Sequence, residues 1–136
     1  MPKVFTSKTQ KRGETGENIA VFYLERQGFK IIDRNYTVKA GEIDIIGEKD
    51  GKLYFFEVKA VTTTVTRENI SRVTRTISGI RPEENMHDKK LARLYRAVEI
   101  YRIEHPTKAQ YWQIDLLCVY FDPDTKNAKV TRMENI

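Results

Sequence analysis

The chain has one cysteine, Cys118, two histidines and one tryptophan among its 136 residues. A single thiol cannot form an internal disulfide, and its place in the apolar run LLCVYF suits a buried structural role. Two histidines and one cysteine fall short of a usual zinc ligand set. No apolar run is long enough to cross a bilayer. The opening MPKVFTSKTQKRGETG is polar and basic and lacks the apolar stretch of a secretory signal. These absences point to the cytoplasm and away from membranes.

What remains is enough for one domain with a real core. Lys and Arg number 24 against 19 Asp and Glu, a net charge of +5. That balance hints at a polyanionic partner. Its distribution says more. Lys3, Lys8, Lys11 and Arg12 crowd the first 15 residues, expected to be a basic flexible arm preceding a single domain over 16–136. Arg67, Arg72, Arg75 and Arg81 recur through a Thr/Ser-rich segment at about 62–84, read either as a solvated loop or as a phosphate-contacting flap.

Periodicity predicts a helix from about Gly16 to Gln27, ended by Gly28. Strands follow in FKIIDRNYTV, with a bulge or turn at Asp33-Arg34-Asn35, then in GEIDIIGE and KLYFFEVKA, the last two joined by an Asp50-Gly51 hairpin turn. Leu91, Leu94, Tyr95, Val98 and Tyr101 mark an amphipathic helix over about 83–104. YWQIDLLCVYF reads as a central strand and AKVTRM as a short last one. In Tyr111-Trp112 a core aromatic is preferred to an exposed anchor, and Arg102 is assigned to a solvated helix face. The order α-β-β-β-α-β-β implies an α/β fold, a mixed sheet flanked by helices.

Acids inside the hairpin strands need explanation, because strand interiors favour apolar and β-branched residues. With Lys49 paired to Lys52, counting outward sets Asp44 opposite Glu57 and Glu42 opposite Lys59. Directly opposed carboxylates repel, so such a pair calls for a counter-charge, and a divalent cation with oxygen ligands is the natural one. A salt-bridge ladder, Glu42 with Lys59 and an arginine on Asp44, is the other reading. Glu17 heads the stripe Ala20, Val21, Leu24 on the first helix, where it either joins the hairpin acids or favours the helix dipole.

Glu17-x-x-Ala20-x-x-x-Leu24, Gly28-Phe29, Asn35-Tyr36, Gly41-Glu42-Ile43-Asp44-Ile45-Ile46 and Phe56-Glu57-Val58-Lys59 together resemble the small bacterial YraN or UPF0102 family. The likeness resumes at Lys90, Arg93, Leu94 and Tyr101 and in Gln113-Ile114-Asp115-Leu116-Leu117. That family is similar to the restriction-endonuclease-like, PD-(D/E)xK proteins, and its layout resembles archaeal Holliday junction resolvases. The resemblance implies that Asp44 and Glu57 bind Mg²⁺ or Mn²⁺, helped by Glu17 and the Val58 carbonyl. Lys59 would be the motif lysine and Glu17 the helical acid of the catalytic set. Ile43 stands where some members have proline. Val61 stands where the family usually carries an arginine, for which Arg67 is the candidate substitute.

The implied activity is metal-dependent hydrolysis of a phosphodiester in DNA, with branched DNA as the substrate by analogy and a homodimer needed to cut two strands of a junction. Lys11, Arg12, Arg67, Arg72, Arg75 and Lys90 are the expected backbone contacts. The alternatives are a non-catalytic nucleic-acid-binding module of the same fold and an adaptor for a protein partner.

Overall fold

The computed structural model describes residues 8–62, 88–106 and 110–136, with the side chains of residues 8–14 and 62 left out. Helix α1 (Lys8–Arg26) leads into strands β1 (Lys30–Val38), β2 (Gly41–Lys49) and β3 (Lys52–Thr62). Helix α2 (Asp88–Glu104), β4 (Trp112–Phe121) and β5 (Ala128–Met133) follow. The element order is the one expected. Helix α1 begins well before Gly16, because the run Lys-Thr-Gln-Lys-Arg contains mostly good helix formers and no breaker. Lys11 and Arg12 therefore belong to α1. Arg67, Arg72 and Arg75, with most of the basic segment and the first expected turn of the second helix, lie outside the described residues.

Helix α1 stops in a Schellman arrangement. The Phe29 amide donates to the Leu24 carbonyl at 3.0 Å and the Gly28 amide to that of Glu25 at 3.1 Å. Gly28 takes φ +93°, which its missing Cβ permits. The fold that follows is a five-stranded sheet in the order β1-β2-β3-β4-β5. Strands β3 and β4 pair in parallel and every other neighbouring pair is antiparallel. The middle position belongs to β3, with β4 beside it inside the sheet. The register of β1 against β2 shifts between Ile31 and Asp33, and Asn35 has φ +54°, so the expected irregularity is present. Asp50 and Gly51, both at positive φ, make the hairpin turn with Lys49 opposite Lys52.

Among the described residues, each face of the sheet carries one helix and one core. Under α2, Leu94, Ala97, Val98 and Tyr101 pack with Ile43, Ile46, Leu53, Phe55, Ile114, Leu116 and Cys118. Under α1, Ala20 and Leu24 pack with Phe29, Ile45, Phe56, Leu117 and Val119. Cys118 is buried as expected, and burial pushes its thiol pKa up. Trp112 packs against the α2-side core while Tyr111 stays exposed, so the aromatic pair is split. Arg102 is not simply solvated, because its guanidinium lies 4.2 Å from the Trp112 ring centroid. In the first half of β4, Asp115 is fully buried and accepts from Arg132 Nε at 2.9 Å, the Gln113 amide at 2.8 Å and the Asn135 backbone at 3.1 Å.

Two glycines set how closely the helices approach the sheet. A β-carbon on Gly16 would come within 2.5 Å of the Ala60 β-carbon, and one on Gly41 would overlap the Arg93 carbonyl. The second contact is with helix backbone, which cannot rotate aside. Gly41→Ala should therefore cost about 1–3 kcal/mol by forcing α2 off β2. Urea unfolding checks this, and a shift within experimental scatter would show that the helix gives way freely.

Candidate metal centre and cleft

The α2-side core contains both Ile43 and Ile46, and Ile45 lies in the core on the other face. Strict alternation would put Ile43 and Ile46 on opposite faces. The alternation of faces is therefore broken between Ile43 and Ile45, around Asp44, while the register with β1 runs unshifted through it. The paired register of β2 with β3 ends at the same place, with Ile45 opposite Phe56. Beyond it the Val58 amide donates to Asp44 Oδ2 at 2.8 Å, so a carboxylate replaces a backbone carbonyl as the acceptor. The expected direct oppositions of Asp44 with Glu57 and Glu42 with Lys59 are absent from this register for that reason.

The acids share one cleft all the same. Asp44 and Glu57 are each 8 % exposed and line one cleft of about 720 Å³ with Glu17, Glu42 and Val58. Helix α1 supplies Glu17, held at the wall by the Gly16–Ala60 contact, with Arg34 Nη2 at 3.8 Å from its Oε2. Helix α2 supplies Lys89, Lys90 and Arg93 on the opposite wall. Lys90 Nζ sits 3.0 Å from Glu57 Oε1. Lys59 does not line the cleft. It stands beside Cys118 in the β3–β4 register, where its charge acts on the thiol.

Burial is the largest influence on Asp44 and holds its carboxyl well above the ordinary range, with the charges of Glu57 and Glu17 adding to it and the Val58 amide opposing it. For Lys90, burial pulls the pKa down, but Glu57, then Asp44 and Glu42, more than offset this and leave it raised. Among the described residues, no lysine or arginine pairs with Asp44 on the floor of the cleft. A divalent cation with oxygen ligands suits that deficit, and Asp44 and Glu57, with Glu17 nearby, are the residues that would hold it. Among the described residues, however, no three of His, Cys, Asp or Glu are already arranged as a metal site. The Val58 carbonyl, expected as a ligand, belongs to a residue of the cleft wall whose amide is the group engaged with Asp44.

The Lys90–Glu57 pair is the main feature that sequence reasoning missed. Lys90 stood there only as a DNA contact, and the neighbouring cations Lys89 and Arg93 were the available signal for a basic wall. No described helix is long and apolar enough to cross a membrane.

A family model described as "Uncharacterised protein family UPF0102" matches residues 16–119. A UPF0102 protein of Campylobacter fetus is 36% identical over 107 residues, 79% of this chain and 81% of its own. One of Campylobacter lari is 37% identical over 110 residues, 81% of this chain and 84% of its own. A UPF0102 protein of Persephonella marina is 28% identical over 108 residues, 79% of this chain and 82% of its own. Among solved structures, Pyrococcus furiosus SfsA in complex with Ca²⁺ superposes with a TM-score of 0.34 at 16% identity, over 98% of this chain and 66% of that one. So low a score establishes no shared fold.

Because the folded-state pKa of Asp44 is raised, the metal-free protein binds an extra proton relative to the unfolded chain. Its contribution to stability is present at acid pH and is lost as pH rises through the folded pKa. Asp44→Asn keeps an acceptor for the Val58 amide and removes the charge. In chelator-treated protein it should be more stable than wild type at pH 8 and no more stable at pH 4, by thermal unfolding. A variant less stable than wild type at pH 8 would mean the carboxylate is better compensated than the geometry indicates.

Proposed function

Since the chain belongs to the UPF0102 family, we propose from its own cleft that it is a metal-dependent nuclease of restriction-endonuclease-like descent, hydrolysing phosphodiesters in DNA. One observation carries this reading. Carboxylates from β2 and β3, with Glu17 of α1 at one wall, line a cleft whose α2 wall bears three cations. Such a surface suits a hard cation below and a phosphate above.

In this reading Asp44 and Glu57 hold Mg²⁺ or Mn²⁺, and Glu17 orders the waters beside it. The cation, when bound, supplies Lewis-acid polarisation of the phosphate and a more acidic water. The remaining work belongs to side chains. The Val58 amide fixes the direction of the Asp44 carboxylate. Lys89, Lys90 and Arg93 draw the backbone phosphate into the cleft. Open access to this wall suits backbone contact with little base reading, and branched DNA is the substrate class proposed first.

A non-catalytic binding module is the second reading. The position of Lys59 outside the cleft favours it, because the motif lysine expected to orient the attacking water is not there. Incubation with single-stranded, duplex, flap and four-way-junction DNA in Mn²⁺ separates the two. The nuclease reading expects cleavage of at least one of them by wild type and a loss of about a hundredfold or more in Asp44→Ala. DNA binding without cleavage in every metal tested, unchanged in Asp44→Ala, would favour the binding module.

A further inference from the structure

We infer that Lys90, rather than Lys59, is the phosphate-positioning lysine of the cleft, and that in the metal-free protein it rests on Glu57 as the counter-ion a divalent cation displaces. This deepens the nuclease reading and rests on it. Lys90 Nζ lies 3.0 Å from Glu57 Oε1, and its side chain is 61% exposed while that of Glu57 is 11% exposed. The pair thus joins a fixed buried acid to a mobile surface cation. Lys89 and Arg93 line the same wall, so an ammonium leaving Glu57 stays at the mouth of the cleft.

A hard cation ligated by Glu57 at about 2.1 Å would come within about 5 Å of an ammonium still bound to the same carboxylate. A divalent and a univalent charge that close repel strongly in a partly buried site. One of them has to leave, and the exposed flexible lysine is the one that can. Glu57 then turns from its ion pair to the metal, and Lys90 is released toward a phosphate oxygen. Charge stays balanced in both states: ammonium against carboxylate before loading, metal against carboxylates and ammonium against phosphodiester after it. The same exchange accounts for the lack of a ready-made metal site among the described residues, because Glu57 is turned to Lys90 instead. Lys59, opposite Cys118 in the β3–β4 register, does not line the cleft.

The test uses Lys90→Gln, with Lys129→Gln on the exposed edge strand β5 as a control for the same change in net charge. Mn²⁺ is titrated calorimetrically without DNA. Affinity for a labelled DNA duplex is then followed against KCl concentration, with Ca²⁺ in place of Mn²⁺. The inference expects Lys90→Gln to bind Mn²⁺ severalfold more tightly than wild type, and Lys129→Gln to match wild type. It also expects the salt slope of DNA binding to become shallower by about one in Lys90→Gln. Equal Mn²⁺ affinity in all three proteins overturns the counter-ion exchange and leaves the metal centre standing. An unchanged salt slope overturns the phosphate role. If wild type and both variants bind no Mn²⁺, the metal-centre reading fails and this inference fails with it.

Discussion

Asp44 accepts the Val58 amide hydrogen where β2 and β3 stop pairing, and the arrangement of the cleft follows from that exchange of a backbone acceptor for a carboxylate. Past Ile45 the two strands no longer share a ladder, while β3 stays paired with β4 along its length, Glu57 lying opposite Leu116 and Lys59 opposite Cys118. The opening leaves room between the strands for acidic side chains that a closed hairpin would force against each other. It also shifts the faces of β2, so that Ile43 and Ile46 share the α2-side core. Aspartate is well suited to this position, because its short side chain readily competes with the backbone for nearby N–H groups.

The helices close around that opening from both faces. Gly16 lets α1 settle on Ala60, which carries Glu17 to one wall, and Gly41 lets α2 settle on β2, which carries Lys89, Lys90 and Arg93 to the other. Elsewhere on β4, the buried Asp115 ties β4 to β5 through Arg132 and also accepts from Gln113 of its own strand. There every polar contact of the acid is made within the protein, with an arginine in direct contact. Among the described residues Asp44 has no such cation in contact, and its raised pKa reflects burial first and its acidic neighbours next. Two buried aspartates in one sheet thus play different parts. One is neutralised by a permanent partner and holds strands together. The other lines a cleft, with no cation paired to it among the described residues.

Local rules made much of this legible in the sequence. Strand alternation, the Asp50-Gly51 turn, the Gly28 stop and the irregularity around Asp33 to Asn35 each depend on residues close in the chain, and each is present. Strand counting and helix spacing also gathered Glu17, Asp44, Glu57 and Lys59 at one locus, and the fold sets the first three around one cleft while Lys59 does not line it. Such reading failed where a side chain competed with the ladder, since the counting rule for opposed residues assumes unbroken pairing and Asp44 breaks it. It failed again for Lys90 and for Arg102, whose partners Glu57 and Trp112 lie on other elements. Such contacts depend on how helices dock, and no local spacing encodes that. The start of α1 was misplaced because charge was taken for disorder, although lysine, arginine and glutamine are good helix formers.

The central claim is that the cleft floor is a divalent-cation site formed by Asp44 and Glu57. Anomalous diffraction from crystals of the protein grown with Mn²⁺ tests it most directly. The account predicts a peak within about 2.1–2.3 Å of carboxylate oxygens of both residues. A cleft empty of Mn²⁺, or a peak held by other acids while Asp44 and Glu57 remain unbound, would contradict it.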